Sequence, residues 1–552
     1  MKHDVTLADP GAMLPRQHSA GISERHVMLQ FCLYPASNVW RVRGAEAADR
    51  IELGKPFRDG SSEAGAFQGI VRRMATLAAG KDGMSRTAEI SRQSMRAFVG
   101  ALEQAGELAT ITQPVGLDYE LAACLAEADG GPALRFTAVC GHKMSVVGNL
   151  LNSQARIAAG LGTVPHALQA SIISAIERPS AHRIVTAAPC QEDVVAKPVL
   201  ADQLPIPRFF EHEGGPYITA GAIVATDHCD GRTNLSIARL MPIGDNRALV
   251  GIAPNHHLAV LARAAQARGE KLDIAVCIGN HPAVLVAACL YLGLGEDELT
   301  IAGSLLGEPL DVARCVHSDL LVPAHCECVL EGTLDAAESV EEGPVSEFHG
   351  MYESYGAGMI ATFTHLTRRR DGCFQVIMPG YHREHCLLGG VSIAAGLARA
   401  VRTSVPAMRQ VAVGMGGAGR LHAVVSLNEP RAGEARKTMF AVWAAVNLIK
   451  QVVVVDDDVD PWDAVAVEWA IATRAKPDRD FVIVASVRAD RSEPLEQGGM
   501  ITKLGIDATR RASDRPNWQR ARPPEPAVKK ARELLRTHKV RQGPDESDRS
   551  HH

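Results

Sequence analysis

The sequence predicts a mixed α/β chain with a strand-dominated centre. Between residues 190 and 368, runs such as "GAIVATD", "RALVGIA", "LDIAVCIG" and "ECVLEGTL" are rich in β-branched residues and bounded by turn residues. After residue 406, similar runs alternate with helical patterning, the mark of a smaller α/β domain. At 552 residues the chain is too long for one ordinary core.

Residues 1–92 are rich in Gly, Arg, Ser and Ala and weakly periodic, and are expected to be an N-terminal extension without stable structure. "SMRAFVGALEQAGELATI" opens a clearer pattern, in which Met95, Phe98, Val99, Leu102 and Leu108 fit a helix ending near Gly106. With strands at "ALRFTAV" and "MSVVGNLL", residues 93–190 make an N-terminal α/β domain. Residues 191–370 form the β-rich domain, with GDNR at 244–247 as a hairpin turn and helices at 257–268 and 282–292. Residues 371–405 are a linker holding the helix "LLGGVSIAAGLARAVRTSV". Residues 406–510 supply strands at "VAVG", "HAVVSL", "QVVVVDDDVD" and "FVIVAS" and a helix over 435–449. The charged, Pro-rich tail 511–552 reads as a loose arm with one short helix.

Net charge is −5, which gives no reason to expect a nucleic-acid partner. No apolar run approaches the ~20 residues of a membrane span. The N-terminus lacks the apolar core of a secretion signal, so a cytoplasmic protein is expected. Twelve cysteines are scattered without a CxxC pair, which argues against a zinc site of usual spacing and for reduced, buried thiols.

The chemistry-bearing residues begin at "TNLSIARLMPIGDNRALVGIAPNHH". Asn234 and Arg239 are five apart, so an unbroken strand would send them to opposite faces. To cooperate they need a bulge or a strand end between them. His256 and His257 then stand at the start of a helix, where anions bind well. The alternative is a surface hairpin with solvated polar ends. Downstream, Glu298 and the pair Glu342 and Glu347, five apart around a Gly-Pro turn, could join Arg239. A carboxylate pair beside an arginine can hold one carboxyl ionised and tune the other for proton transfer. An Asn oxygen, a His nitrogen and a Glu oxygen would suit a divalent cation with room for a phosphate oxygen. The triple aspartate 456–458 invites a metal reading, but a polar strand end is favoured.

In order and spacing, "NLSIAR", "LVPAHCECVLEGTL", "EGPVSEFHG", "VVVVDDDVDPWDAV" and "GGMITKLGIDATRR" resemble the UbiD family of prenylated-FMN-dependent decarboxylases, from about residue 94 to 510. The resemblance implies a central split β-barrel that binds the cofactor and a C-terminal α/β domain that oligomerises, as dimer or hexamer. It implies Asn234, His257 and Glu298 as ligands of a divalent ion, usually manganese, with potassium near Glu298 and the 287–290 backbone. It implies cofactor contacts from Asn234, Leu235, Ser236, Ile237, Ala238, Arg239, His256, His257, Glu298 and Lys503. Arg239, Glu342 and Glu347 match the catalytic network, Glu347 as proton donor. Phe348, Glu384 and His385 fall where members differ by substrate and suit a planar aromatic or heteroaromatic acid. Activity would depend on a flavin prenyltransferase, with a small carboxylic acid as substrate. The rival readings are a carboxylase running in reverse and a non-catalytic flavin- or metal-binding subunit, which would not need the proton donor.

Overall fold

A computed structural model describes residues 91–538, apart from 512, 516, 517, 519 and 520. The expectation for residues 1–92 therefore lies almost wholly outside the described residues, as does that for 539–552.

The first helix, Met95–Gln104, starts where Ser94 caps Ala97 and stops before Gly106, whose φ of 74° only glycine adopts freely. It packs Phe98 and Leu102 into the main core. The short strands Leu108–Ile111, Ala133–Phe136 and Ser145–Gly148 form a sheet that Cys373–Gln375 completes. The expected linker therefore gives a strand to the N-terminal domain. The central unit likewise starts before residue 191, because Arg183–Ile184 pairs with Asp311–Val312.

The central sheet has eight strands: β1 Asp193–Ala196, β2 Ala222–Thr226, β3 Thr233–Ile237, β4 Arg239–Pro242, β5 Arg247–Gly251, β6 Leu272–Ile278, β7 Cys328–Glu341 and β8 Ala357–Arg368. Their spatial order is β3-β2-β6-β7-β8-β5-β4, with β1 also on β8. Strands β3 and β4 thus lie at opposite ends of the ladder, yet only Ala238 separates them in the chain. The sheet must curl until its two ends meet at Ala238, which makes it a half-barrel. Register shifts between β7 and β8, at Glu331/Gly332 and at Asp335/Ser339, help it bend. Ile223, Val276, Leu330 and Phe363 fill its buried core.

Three helices frame the site: α1 His257–Ala267, α2 Glu298–Leu306 and α3 Arg383–Arg402. The helix expected over 282–292 ends at Ala288, and that expected over 435–449 is Glu434–Ala445. The C-terminal sheet runs Met408–Ala412, His422–Leu427, Gln451–Asp456, Met500–Asp507, Phe481–Arg488 in spatial order. Asp456 and Asp458 bind Arg474 at 2.8–3.0 Å, so the triple aspartate is a charged strand end. Among the described residues the tail carries one helix, Glu525–Thr537. Among the described residues no helix is long and apolar enough to cross a membrane.

Candidate active site

At the seam of the half-barrel lies a cavity of about 450 Å³. The interruption at Ala238 solves the parity problem posed by Asn234 and Arg239. The two residues belong to different strands at different sheet edges, and both line this cavity.

On one side, β3 presents Asn234 and Ser236, both buried. Glu298, the first residue of α2, reaches them because Asp297 caps that helix and fixes its start. Its Oε2 accepts from the Leu235 amide at 2.9 Å and its Oε1 from Asn234 Nδ2 at 3.2 Å. Ser236 Oγ donates to Asn234 Oδ1 at 3.0 Å. Burial pushes the Glu298 carboxyl up to about 7. His257 opens α1, and His256 caps it, Nδ1 accepting from the Leu258 amide at 3.3 Å. Burial lowers both imidazoles, His256 to about 4, so both are neutral near pH 7. Among the described residues no group of three His, Cys, Asp or Glu side chains could hold a metal; a cation here needs the Asn234 amide as well.

On the other side, Arg239 of β4 meets both carboxylates. Its Nε and Nη2 donate to Glu342 at 2.6 and 2.7 Å, a two-point contact, and Nη1 lies 3.4 Å from Glu347. Glu342 is buried and does not line the cavity, whereas Glu347 does. Gly251 faces Arg239 across β4–β5; a Cβ there would lie 2.7 Å from Arg239 Nε and 2.8 Å from Glu342 Oε1. Glycine is what leaves this ion pair its space.

Leu235, Ile237, Phe348 and His385 also line the cavity. His385 Nδ1 is 3.0 Å from the Gly380 carbonyl, and burial holds the ring neutral, down to about 3. Three expectations need correction. Glu384 points away: its oxygens accept from the amides of Asn149 and Leu151 at 3.0 and 2.8 Å, so it ties α3 to the N-terminal domain. Lys503 does not line the cavity either. Its Nζ donates to the carbonyls of Asn447 and Ile449 at 2.8 and 2.9 Å, bracing Leu448, which does. Ala238 is the seam itself and is likewise absent from the wall. Sequence reasoning missed Tyr291, Tyr355, Arg420 and Arg491, all of which line the cavity. Arg420 and Arg491 come from the C-terminal domain and have no local signal beyond their charge.

Three family models match: the 3-octaprenyl-4-hydroxybenzoate carboxy-lyase N-terminal domain over 99–176, the Rift-related domain over 183–382 and the C-terminal domain over 386–508. A curated relative, anhydromevalonate phosphate decarboxylase of Methanosarcina mazei, is 35% identical over 431 residues, covering 78% of this chain and 99% of its own. That of Methanothermobacter thermautotrophicus is 35% identical over 376 residues, 68% of this chain and 88% of its own. Among solved structures, the UbiD-class enzyme HmfF of Pelotomaculum thermopropionicum in complex with FMN has a TM-score of 0.76 at 35% identity, covering 80% of this chain and 99% of that one. Vanillic acid decarboxylase of Sedimentibacter hydroxybenzoicus in closed form has a TM-score of 0.71 at 28% identity, covering 81% and 99%.

Proposed function

The chain belongs to the UbiD family of carboxy-lyases, and on that footing we propose that it reversibly decarboxylates an aromatic, heteroaromatic or α,β-unsaturated carboxylic acid, without net oxidation, using prenylated FMN. The observation that carries this reading is the convergence of Arg239, Glu342 and Glu347 on the cavity that Asn234, His257 and Glu298 also line or border.

The residues present fit the cofactor and its ions. Asn234, His257 and Glu298 would hold a divalent ion, manganese being the usual one, against the cofactor phosphate, with potassium beside Glu298 and the 287–290 backbone. An amide oxygen, a neutral imidazole and a carboxylate are a suitable donor set, and a cation would relieve the raised Glu298. Leu235, Ser236 and Ile237 would line the flavin. When bound, prenylated FMN supplies the electron sink for the departing carboxylate. The protein's own part is electrostatic. Arg239 receives the substrate carboxylate while Glu342 fixes its guanidinium. Glu347, held by a 3.4 Å contact from Arg239 and a 3.3 Å bond from the Phe348 amide, is the freer carboxyl and delivers a proton to the carbon that loses CO2.

The rings of Phe348, Tyr355 and Tyr291 favour a flat acid. The curated relatives, named for a phosphorylated substrate, favour instead an unsaturated acid that bears a phosphate. Oligomerisation is assigned to the C-terminal domain, where Val465, Trp469 and Ile483 are exposed. The test is CO2 release from a panel of acids, with protein made with and without a co-expressed flavin prenyltransferase. Turnover confined to the co-expressed sample supports the reading; cofactor-loaded protein inert to every acid refutes it.

A further inference from the structure

The cavity wall carries three guanidiniums: Arg239, Arg420 and Arg491. Arg239 is matched by Glu342 and Glu347. Neither of the others has an ion-pair partner among the described residues. Arg420 makes one hydrogen bond within its own loop, to the Gly419 carbonyl at 3.2 Å, and lies 5.5 Å over the Phe348 ring. Its position is built in. Gly389 of α3 lies against it, and a Cβ there would come within 1.6 Å of its Nη1. Arg491 sits 4.5 Å over the Tyr355 ring, and Arg239 lies 5.6 Å over the same ring. The nearest carboxylate in sequence, Asp490, also lines the cavity, but its Oδ1 accepts from the amide and hydroxyl of Ser492 at 3.0 and 2.7 Å.

Arg420 is half-buried and Arg491 exposed, and two guanidiniums with no ion pair of their own, brought to one wall with Arg239, repel one another. Partial desolvation, with the nearby Arg239, lowers the Arg491 guanidinium, against the opposing pull of Tyr355, Asp490 and Glu347. Arginine is the residue suited to planar carboxylates and phosphates. On the proposed function the cofactor phosphate would be held from the opposite side, by a cation on Asn234, His257 and Glu298.

We propose that Arg420 and Arg491 form a second anion subsite, so that the acid carries, besides the carboxyl that leaves, a further carboxylate or phosphate group. The inference rests on the decarboxylase reading for its substrate, though the binding site itself can be tested apart from turnover. Phe348 and Tyr355, in the segment that begins with Glu347, are then the apolar walls between the reacting end and the anchored end.

The experiment uses holoenzyme and three matched acids: cinnamate, 4-carboxycinnamate and 4-phosphonooxycinnamate. Their saturated analogues, which cannot react, are used for calorimetry. The expected result is at least tenfold tighter binding of one or both dianions, with the stronger arm identifying carboxylate or phosphate. Arg420→Ala and Arg491→Gln should each reduce kcat/KM about 10- to 100-fold more for the dianion than for cinnamate, mainly through KM, as expected for a charge-assisted contact made in the ground state. Arg420→Lys should recover part of the loss. Equal binding of mono- and dianions overturns the proposal, as does loss of flavin in either variant, which would make these arginines cofactor ligands. The decarboxylase reading falls only if the full acid panel is inert, while the calorimetric preference stands or falls by itself.

Discussion

Replacing Glu347 with glutamine separates proton delivery from every other task of the site. Glu347 has one contact with Arg239, at 3.4 Å, and its Oε2 accepts from the Phe348 amide at 3.3 Å. An amide can keep that acceptor, so Glu347→Gln should cost under about 1 kcal/mol of stability. Glu342 differs: two contacts at 2.6 and 2.7 Å in a buried setting mean that Glu342→Gln leaves a guanidinium undercompensated, for about 1.5–3 kcal/mol. The kinetic effects should rank the other way or equal. Losing a general acid lowers turnover by roughly 10²–10⁴-fold, or about 3–5 kcal/mol in the barrier. The assay is single-turnover CO2 release in deuterated water by protein with measured flavin and metal content, beside thermal melting. Wild type should place deuterium on the carbon that lost CO2; Glu347→Gln should keep the cofactor, melt like wild type and deuterate far more slowly. Near wild-type turnover by a fully loaded Glu347→Gln would refute the assignment of the proton donor.

Other outcomes follow from the same geometry. His257→Ala and Glu298→Ala should each lose divalent metal and much of the flavin, as elemental analysis would show; normal content in either variant removes that residue from the ligand set. Metal uptake should weaken as pH falls through about 7, where Glu298 takes up a proton. The sign for metal-free protein is opposite: the folded state holds a proton that the unfolded chain gives up from its ordinary 4.5. Stability from this group is therefore full below about 4.5 and is lost as pH rises through about 7, measurable as melting temperature against pH. Glu384→Gln should lower the melting temperature and flatten that slope, because Glu384 is also raised to about 7 by burial, but leave substrate preference unchanged. Gly251→Ala should displace Arg239 from Glu342 and cut kcat at least tenfold with flavin retained, read by kinetics and flavin absorbance.

Much of the site was legible because its residues sit in short continuous stretches. "NLSIAR" and "EGPVSE" hold the amide, the guanidinium and both carboxylates, and the five-residue spacing announced that the strand must break. Where it breaks, and that the break joins two edges of one sheet, depends on long-range pairing that no local pattern encodes. Glu384 misled because it adjoins His385. Consecutive residues on a helix point about 100° apart, so one faces the 149–151 backbone and the other the cavity. Lys503 was expected at the cofactor only through the resemblance of "ITKLGIDAT", and two carbonyls satisfy it instead. Arg420 and Arg491 stand on loops of another domain, and only tertiary structure brings them to Phe348 and Tyr355.

The seam at Ala238 also bears on the order of assembly. Asn234 and Arg239 are five residues apart along the backbone, but five strands lie between β3 and β4 along the hydrogen-bonded ladder. Neither residue can reach its working position relative to the other until the ladder has closed, and the entropy of those distant pairings comes first. A partly folded chain thus presents half of the cavity at most, and flavin retention becomes a late and stringent signal that the barrel is complete. In refolding, the fluorescence of bound flavin should lag behind the recovery of secondary structure, with the last slow phase belonging to the meeting of the two edges.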